Sequence, residues 1–319
     1  MESSRISAAI PEILQASETA SQFFVRKKRR PCRTGVLPVD FLDVHDGDIV
    51  EFYGPSGSGK TAFLIQVVVS CILPQEWRDI DIGGRESRAI FIDTEYKLDI
   101  FRIAIALAQR VEDAIRLARG EDVDEAEVED AVNELRTTSL RRLHVFRCGT
   151  SFELLCTIRQ LKDVAANESQ CPIKVLAIDS ISGFFWQDKS GVEAEFYSRM
   201  INAISKSIQT LAKTMHLAAF ATRSLYFWGS NKVKQPLIGK GGAVAGLSAV
   251  ADSLVRDYIN RVWLDVVKHR VLLCRSHLSI RHISPAQCVP TPIFVAGVHK
   301  SNMVVEFSCL DNGALRFDE

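Results

Sequence analysis

The sequence predicts an α/β fold built on a mostly parallel, twisted sheet with helices on both of its faces. Two observations support this prediction. Apolar, strand-like segments alternate with helix-like segments over residues 48–222, and 47% of the 319 residues are hydrophobic, which is enough for a large core. Alternation of this kind favours a parallel sheet, because two parallel strands are joined by a long crossover that is usually a helix.

Each element of the alternating region has a local signal. Asp46-Gly47-Asp48 predicts a turn into the first strand, and Pro74 ends the first helix. The predicted strands cover residues 49–53, 89–93, 143–146, 174–178 and 217–222, and the predicted helices cover residues 60–73, 98–119, 152–164 and 193–215. Residues 121–134 contain eight acidic residues and no basic one, which predicts a solvated helix or an insertion.

The segments on either side of this region are less regular. Residues 1–46 are predicted to form an N-terminal segment and linker, with a short helix over residues 10–24. Residues 47–319 are predicted to form the core, including a C-terminal β-rich extension with strands over residues 261–267, 271–274, 293–295 and 303–307. We expect these strands to extend the sheet, with antiparallel strands among them and a hairpin turn at Lys268-His269-Arg270.

Composition excludes several classes of protein. Basic and acidic residues balance at 39 each, so contacts with nucleic acid would have to come from local patches. The eight cysteines form no C-x-x-C pair, which indicates a reducing compartment. The N-terminus lacks the apolar region of a signal peptide, and the longest apolar stretch, residues 62–73, is too short to span a bilayer. We therefore expect a soluble intracellular protein without membrane contact.

The glycine-rich loop after the first strand carries the strongest chemical signal, because it matches the P-loop pattern G-x-x-x-x-G-K-[ST] at every fixed position. Its residues are Gly54, Pro55, Ser56, Gly57, Ser58, Gly59, Lys60 and Thr61. Glycines let the backbone N–H groups converge on an anion, and the following helix adds its N-terminal dipole. The loop predicts an ATP site in which Lys60 contacts the β- and γ-phosphates and Thr61 binds Mg²⁺.

Carboxylates at two further strand ends complete the predicted site. Asp179 follows four apolar residues and is predicted to hold Mg²⁺, directly or through water. Asp93 and Glu95 lie just past the carboxyl end of another strand, where ligands bind in parallel α/β sheets. We predict that Glu95 positions or activates the attacking water and that Asp93 is structural.

These motifs, in this order, resemble those of the RecA-type recombinases. The resemblance rests on Gly54-Pro55 in the loop, Phe91-Ile92-Asp93-Thr94-Glu95, and Ile178-Asp179-Ser180, and it covers about residues 45–275. It implies a RecA-like P-loop NTPase core. Further stretches, such as Cys71-Ile72-Leu73-Pro74 and the run from Asp179 to Trp186, are similar to short eukaryotic recombinase paralogues. Those paralogues lack a separate N-terminal helical domain, and we expect none here.

By this resemblance, the chain is expected to be a nuclear, ATP- and Mg²⁺-binding subunit of a hetero-oligomeric complex of recombinase paralogues, acting in homologous recombination and double-strand break repair. The family's catalytic glutamate corresponds to Glu95, its phosphate-loop lysine to Lys60 and its magnesium aspartate to Asp179. Arg223 and Ser224 stand where full recombinases have an Asn-Gln pair that senses the γ-phosphate. ATP binding with at most weak DNA-dependent ATPase activity follows. The alternatives are an autonomous DNA-dependent ATPase motor and an architectural subunit with a structural nucleotide.

Two loops and a basic run are the expected contacts with single-stranded or branched DNA. The family's DNA loops correspond to residues 186–195 and 227–246, and the second contains Lys232, Lys234 and Lys240 among glycines and aromatic residues. The same loops would serve partner subunits equally well, or be ordinary surface loops. The run Arg26-Lys27-Lys28-Arg29-Arg30 fits a nuclear-import signal, a DNA arm or a solvated linker.

Overall fold

A computed structural model describes residues 32, 34–120, 123–166, 171–190, 195–225, 261–275, 293–298, 304–309 and 315–317. All of them belong to one structural unit, Cys32–Glu319. The helix predicted over residues 10–24, the basic run at residues 26–30 and the whole of the predicted second DNA loop, residues 227–246, lie outside the described residues.

The described strands and helices follow the predicted alternation closely. The strands are β1 Ile49–Gly54, β2 Glu76–Trp77, β3 Ile80–Asp81, β4 Arg88–Asp93, β5 Leu143–Arg147, β6 Ile173–Asp179, β7 Ala218–Ser224, β8 His269–Arg275, β9 Ile293–Val298, β10 Val304–Cys309 and β11 Leu315–Phe317. The helices are α1 Leu37–Asp40, α2 Lys60–Ile72, α3 Ile100–Arg119, α4 Glu125–Leu140, α5 Ser151–Ala166, α6 Phe185–Lys189, α7 Phe196–Met215 and α8 Arg261–Val266.

One sheet of nine strands organises these elements, in the order β11-β10-β9-β8-β1-β7-β6-β4-β5. The six strands from β8 to β5 pair in parallel. Strands β9, β10 and β11 continue the sheet beyond β8 in antiparallel pairing. The predicted α/β class and mostly parallel sheet are confirmed. The small antiparallel hairpin β2–β3 was not predicted.

Apolar residues alternate between the two faces of the sheet and define two buried clusters. Phe52, Phe91 and Phe220 pack in the first cluster with α2, α3 and α4. Ile49, three residues before Phe52, and Ile90, next to Phe91, pack in the second cluster with α5, α7 and α8. Because successive side chains of a strand point to opposite faces, these clusters place helices on both faces, as predicted.

The stretch before β1 packs against the same core. Val36, Val39 and Val44 are buried in the first cluster, and the Gly47 N–H donates to the Leu217 carbonyl over 2.8 Å. Residues 34–46 therefore contribute to the core. The proposed boundary at residue 46, as a limit between a linker and the core, stays a prediction.

Residues 261–267 were predicted to form a strand, and this was wrong: α8 covers Arg261–Val266. The β-branched valines favour a strand, but the position of Trp263 overrides this propensity. Trp263 is fully buried in the second cluster, and its carbonyl accepts the Val267 N–H over 3.2 Å, as in a helical turn. The hairpin predicted at Lys268-His269-Arg270 is also wrong, because His269 and Arg270 already belong to β8.

The acid-rich segment forms most of a regular helix, α4, which begins after Asp124. The Asp124 side chain caps the helix by accepting the Ala126 N–H. One face of α4 is buried against the first cluster, and the acidic residues lie mainly on the other. Within the described ranges, none of the helices has the length and apolar character needed to cross a membrane.

Candidate nucleotide-binding site

The predicted site residues meet at the carboxyl edge of four adjacent strands, β1, β7, β6 and β4. The P-loop connects β1 to α2, Asp179 is the last residue of β6, and Glu95 lies two residues beyond β4. Their convergence follows from the parallel topology, because the carboxyl ends of parallel strands lie at the same edge of the sheet.

Glycine is required at several positions of the loop. Gly57 and Gly59 have φ angles of 74° and 86°, in the left-handed region that other residues rarely adopt. Gly59 immediately precedes α2. At Gly54, a Cβ atom would lie 2.1 Å from the Leu273 carbonyl oxygen of the neighbouring strand β8. The loop can therefore make its turn only with the glycine pattern that the sequence contains.

The loop offers hydrogen-bond donors that suit a phosphate group. In the described part of the chain, the backbone N–H groups of residues 57–60 have no acceptor. They stand at the N-terminus of the 13-residue helix α2, where such groups are unsatisfied and attract anions. The Ser58 hydroxyl is buried, and no hydrogen-bond partner for it is found among the described residues. These features fit the triphosphate predicted from the motif.

Lys60 lies inside this cradle rather than in solvent. Its ammonium donates to the carbonyl oxygens of Gly54, over 3.0 Å, and of Pro55, over 2.7 Å. Burial lowers the pKa of Lys60 to about 8, although the nearby carboxylates of Asp179 and Glu95 oppose the shift. A phosphate would offer this ammonium a charged acceptor in place of two neutral carbonyls, and charge-assisted hydrogen bonds are the stronger kind.

Thr61 and Asp179, the predicted magnesium ligands, are in direct contact. The Thr61 hydroxyl donates to Asp179 Oδ2 over 2.8 Å, and the Thr222 hydroxyl donates to Asp179 Oδ1. Burial raises the pKa of Asp179, although these two hydrogen bonds oppose the shift. A carboxylate beside a hydroxyl, close to phosphate oxygens, is the oxygen-rich ligand set that Mg²⁺ prefers.

Thr222 was not predicted as part of the site. It lies on β7, next to β6, and points to the face of the sheet that carries Asp179. The period-two alternation along β7 could have indicated its orientation, but the partner it contacts depends on strand order, which the sequence did not determine.

Glu95 accepts hydrogen bonds at both carboxylate oxygens. Ser180 Oγ donates to Oε1 over 2.8 Å, and Lys97 Nζ donates to Oε2 over 2.6 Å. Partial burial alone would raise the pKa of Glu95, but these hydrogen bonds and the charges of Lys97 and Lys60 hold it below its usual value. Neither Ser180 nor Lys97 was assigned a role in the sequence analysis.

Asp93 shapes the loop that carries Glu95. Its side chain is 1% exposed and accepts the backbone N–H groups of Glu95, Lys97 and Leu98 over 3.1, 3.3 and 2.9 Å. These hydrogen bonds agree with the prediction that Asp93 is structural.

Arg223 is engaged away from the nucleotide edge. Its side chain is fully buried and pairs with Glu51 of β1, with Nε 2.7 Å from Oε1 and Nη2 3.2 Å from Oε2. Trp263 and Arg270 donate to the same carboxylate, over 2.7 and 2.9 Å. The resemblance to full recombinases places Arg223 where those proteins are expected to have an amide, and in this structure its guanidinium is held by Glu51.

The predicted DNA-contacting lysines, Lys232, Lys234 and Lys240, lie outside the described residues. Of the other predicted DNA loop, residues 186–190 and 195 are described, and the Trp186 side chain is 48% exposed. A cavity of about 630 Å³ lies between α5 and α7, away from the P-loop, and its lining includes Arg159, Arg199 and Lys206.

Three known proteins show what this chain is similar to. The DNA repair protein XRCC2 of Mus musculus is 29% identical over 266 residues, which cover 81% of this chain and 84% of that protein. The DNA repair protein XRCC2 homolog of Arabidopsis thaliana is 25% identical over 291 residues, covering 82% and 78%. The DNA repair protein RAD51 of Saccharomyces cerevisiae is 25% identical over 213 residues, covering 65% and 46%.

No protein-family model matches the chain. The three matches nevertheless confirm the predicted resemblance to RecA-type recombinases and their eukaryotic paralogues, because two of the alignments cover most of this chain and most of the matched protein.

Proposed function

We propose that this chain, a RecA-type protein similar to the XRCC2 proteins, acts in DNA repair and recombination as an ATP-binding subunit of a complex with other recombinase paralogues. The nucleus would be its site of action. The main observation in support of ATP binding is the hydrogen bond of 2.8 Å from Thr61, the residue after the P-loop lysine, to Asp179.

Each site residue has a defined task in this proposal. The N–H groups of the P-loop and the Lys60 ammonium would hold the β- and γ-phosphates, and Thr61 and Asp179 would hold Mg²⁺. The magnesium ion would neutralise charge on the phosphates. Thr222 orients Asp179 by donating to its second oxygen, and Ser180 orients Glu95 in the same way.

Glu95 would position a water molecule for attack on the terminal phosphate. Its carboxylate lies at the correct edge of the sheet, but its pKa is low and both of its oxygens already accept hydrogen bonds. A carboxylate in this state is a weak base, so we propose slow turnover in which binding of ATP, more than its hydrolysis, supports assembly.

The partners would be other recombinase paralogues and single-stranded or branched DNA. The relatives that cover most of this chain are named DNA repair proteins, which supports this choice. Lys232, Lys234 and Lys240 remain the proposed DNA contacts, and residues 26–30 remain the proposed import signal or DNA arm.

The first experiment co-expresses the chain with other recombinase paralogues and measures copurification, bound nucleotide and ATP hydrolysis with and without single-stranded DNA. We expect a copurified complex that contains ATP and hydrolyses it slowly. Glu95→Gln should retain the nucleotide and lower turnover by about 100-fold or more, as for loss of a general base. The exposed residue Glu129, changed to Gln, serves as the matched control.

Other results would favour the alternatives. Strong stimulation of the isolated chain by single-stranded DNA would indicate an autonomous motor. Unchanged assembly and repair in a Lys60→Ala variant would indicate an architectural subunit. Turnover of Glu95→Gln at the wild-type rate would remove Glu95 from its proposed role.

A further inference from the structure

We propose that Lys97 is a second ligand of the terminal phosphate of a bound nucleoside triphosphate, provided by this chain itself, and that its ammonium leaves Glu95 for that phosphate. The inference rests on the proposed function, because it requires a triphosphate in the P-loop. It goes further by giving the chain a means of distinguishing a triphosphate from a diphosphate.

The backbone of Lys97 is fixed beside the site. Asp93, buried at the end of β4, accepts the Lys97 N–H over 3.3 Å and also the N–H groups of Glu95 and Leu98. Tyr96, between Glu95 and Lys97, has a φ angle of 56°, in the left-handed region, which turns the loop sharply at this point. The lysine is thus attached to a defined position at the carboxyl edge of the sheet.

The side chain of Lys97, in contrast, can change partners. It is 75% exposed, and its ammonium lies 2.6 Å from Glu95 Oε2. An exposed ion pair of this kind contributes little to stability, since solvent screens it and the long side chain loses entropy when it is held. The cost of moving the ammonium from Glu95 to another anion nearby is therefore small.

The charges around the loop favour this exchange. The Lys97 ammonium contacts Glu95, and Glu95 also accepts from Ser180, the residue after Asp179, so Lys97 lies at the same edge of the sheet as the P-loop. Burial is the main cause of the low pKa of Lys60, and the positive charge of Lys97 contributes in the same direction. A terminal phosphate held by Lys60 would carry more negative charge than the Glu95 carboxylate. It would therefore attract Lys97 more strongly, and its negative charge would offset the repulsion between the two lysines.

The exchange would also change Glu95. While Lys97 and Ser180 occupy Oε2 and Oε1, both carboxylate oxygens are engaged. Transfer of the Lys97 ammonium to the phosphate would release Oε2, which could then accept a hydrogen bond from the attacking water. Lys97 would in this way be a positioning residue for Glu95 as well as a phosphate ligand.

Equilibrium binding of Mg·ATP and Mg·ADP, measured by displacement of a fluorescent nucleotide, tests the inference without relying on turnover. We expect Lys97→Ala to weaken ATP binding by about tenfold, the size expected for one lost hydrogen bond to a charged group, and to leave ADP binding unchanged. Lys97→Arg should keep most of the preference for ATP. Lys213→Ala, which removes an exposed lysine near the end of α7, should behave as wild type.

An unchanged ratio of ATP to ADP affinity in Lys97→Ala would overturn the inference, and so would equal weakening of both nucleotides, which would indicate a structural role. These results leave the proposed function intact as long as the wild type binds ATP. If the wild type bound neither nucleotide, the proposed function itself would fail, and the role of Lys97 with it.

Discussion

Polar contacts hold single residues of this protein in place, both at the carboxyl edge of the sheet and within strand β1. At that edge, Asp179 and Glu95 each accept hydrogen bonds from neighbouring hydroxyl groups. Within the strand, Glu51 is fully buried and is held by Arg223, Arg270 and Trp263, which come from β7, β8 and α8. Glu51 therefore ties the strand that leads into the P-loop to three other elements.

Replacing Glu51 by Gln should lower the free energy of unfolding by about 3 kcal/mol, because the Arg223 guanidinium would remain buried without its counter-charge. Urea unfolding at neutral pH measures this loss. Glu129→Gln, which changes an exposed glutamate on α4, is the matched control and should leave the unfolding curve close to that of wild type.

The Glu51–Arg223 ion pair also predicts that the free energy of unfolding depends on pH. Complete burial alone would raise the pKa of Glu51, but the charges and hydrogen bonds of Arg223 and Arg270 and the Trp263 hydrogen bond hold it below its ordinary value of 4.5. Its stabilising contribution is therefore fully present above pH 4.5 and is lost as the pH falls towards the lower, folded-state pKa. The difference between wild type and Glu51→Gln should shrink over that acid range, whereas a difference independent of pH would contradict the ion-pair explanation.

The contact that the sequence could predict is the one that rests on local patterns. The P-loop and Asp179 meet as expected, because each directly follows an apolar strand, while their roles stay predictions. Ser180, Lys97 and Thr222 were missed, because their importance comes from the carboxylate each one contacts, and two of these contacts are made between different strands or their loops.

At the scale of elements, local pattern and tertiary packing disagree in two places. Residues 261–267 have the composition of a strand, but burial of Trp263 and its hydrogen bond to Glu51 accompany a helix. The acid-rich segment was predicted to be a solvated helix or an insertion; it is helical, yet α4 buries Val128, Val132 and Leu135 at helical spacing. In both cases only a few apolar residues follow the helical repeat, and the surface that they pack against comes from distant parts of the chain.

Changing Leu135 to Ala tests whether α4 belongs to the core. Leu135 is 4% exposed in the first cluster, so its truncation should cost about 2–5 kcal/mol, as for other buried leucines. Thermal or urea unfolding measures the loss. Glu129→Ala on the exposed face of the same helix should have little effect, and equal, small effects of both changes would show that α4 packs loosely.

At the scale of the whole molecule, the alternation of strands and helices was enough to predict the α/β class and the mostly parallel sheet. It could not determine the strand order β8-β1-β7-β6-β4-β5, since many orders share the same alternation. The predicted site residues still converge, because every parallel strand presents its carboxyl end to the same edge. The edge at which the predicted site residues meet was therefore predictable before the topology was known, whereas contacts between particular strands were not.

Binding of Mg·ATP to the purified chain, with and without co-expressed partner subunits, tests most directly whether the loop Gly54 to Thr61 is a nucleotide site. We expect saturable binding with one site per chain, a loss of affinity of about 100-fold or more in Lys60→Ala, because that change removes the buried ammonium that would contact phosphate, and no change in Lys213→Ala. Absence of saturable binding in every preparation, or binding to Lys60→Ala with wild-type affinity, would contradict it.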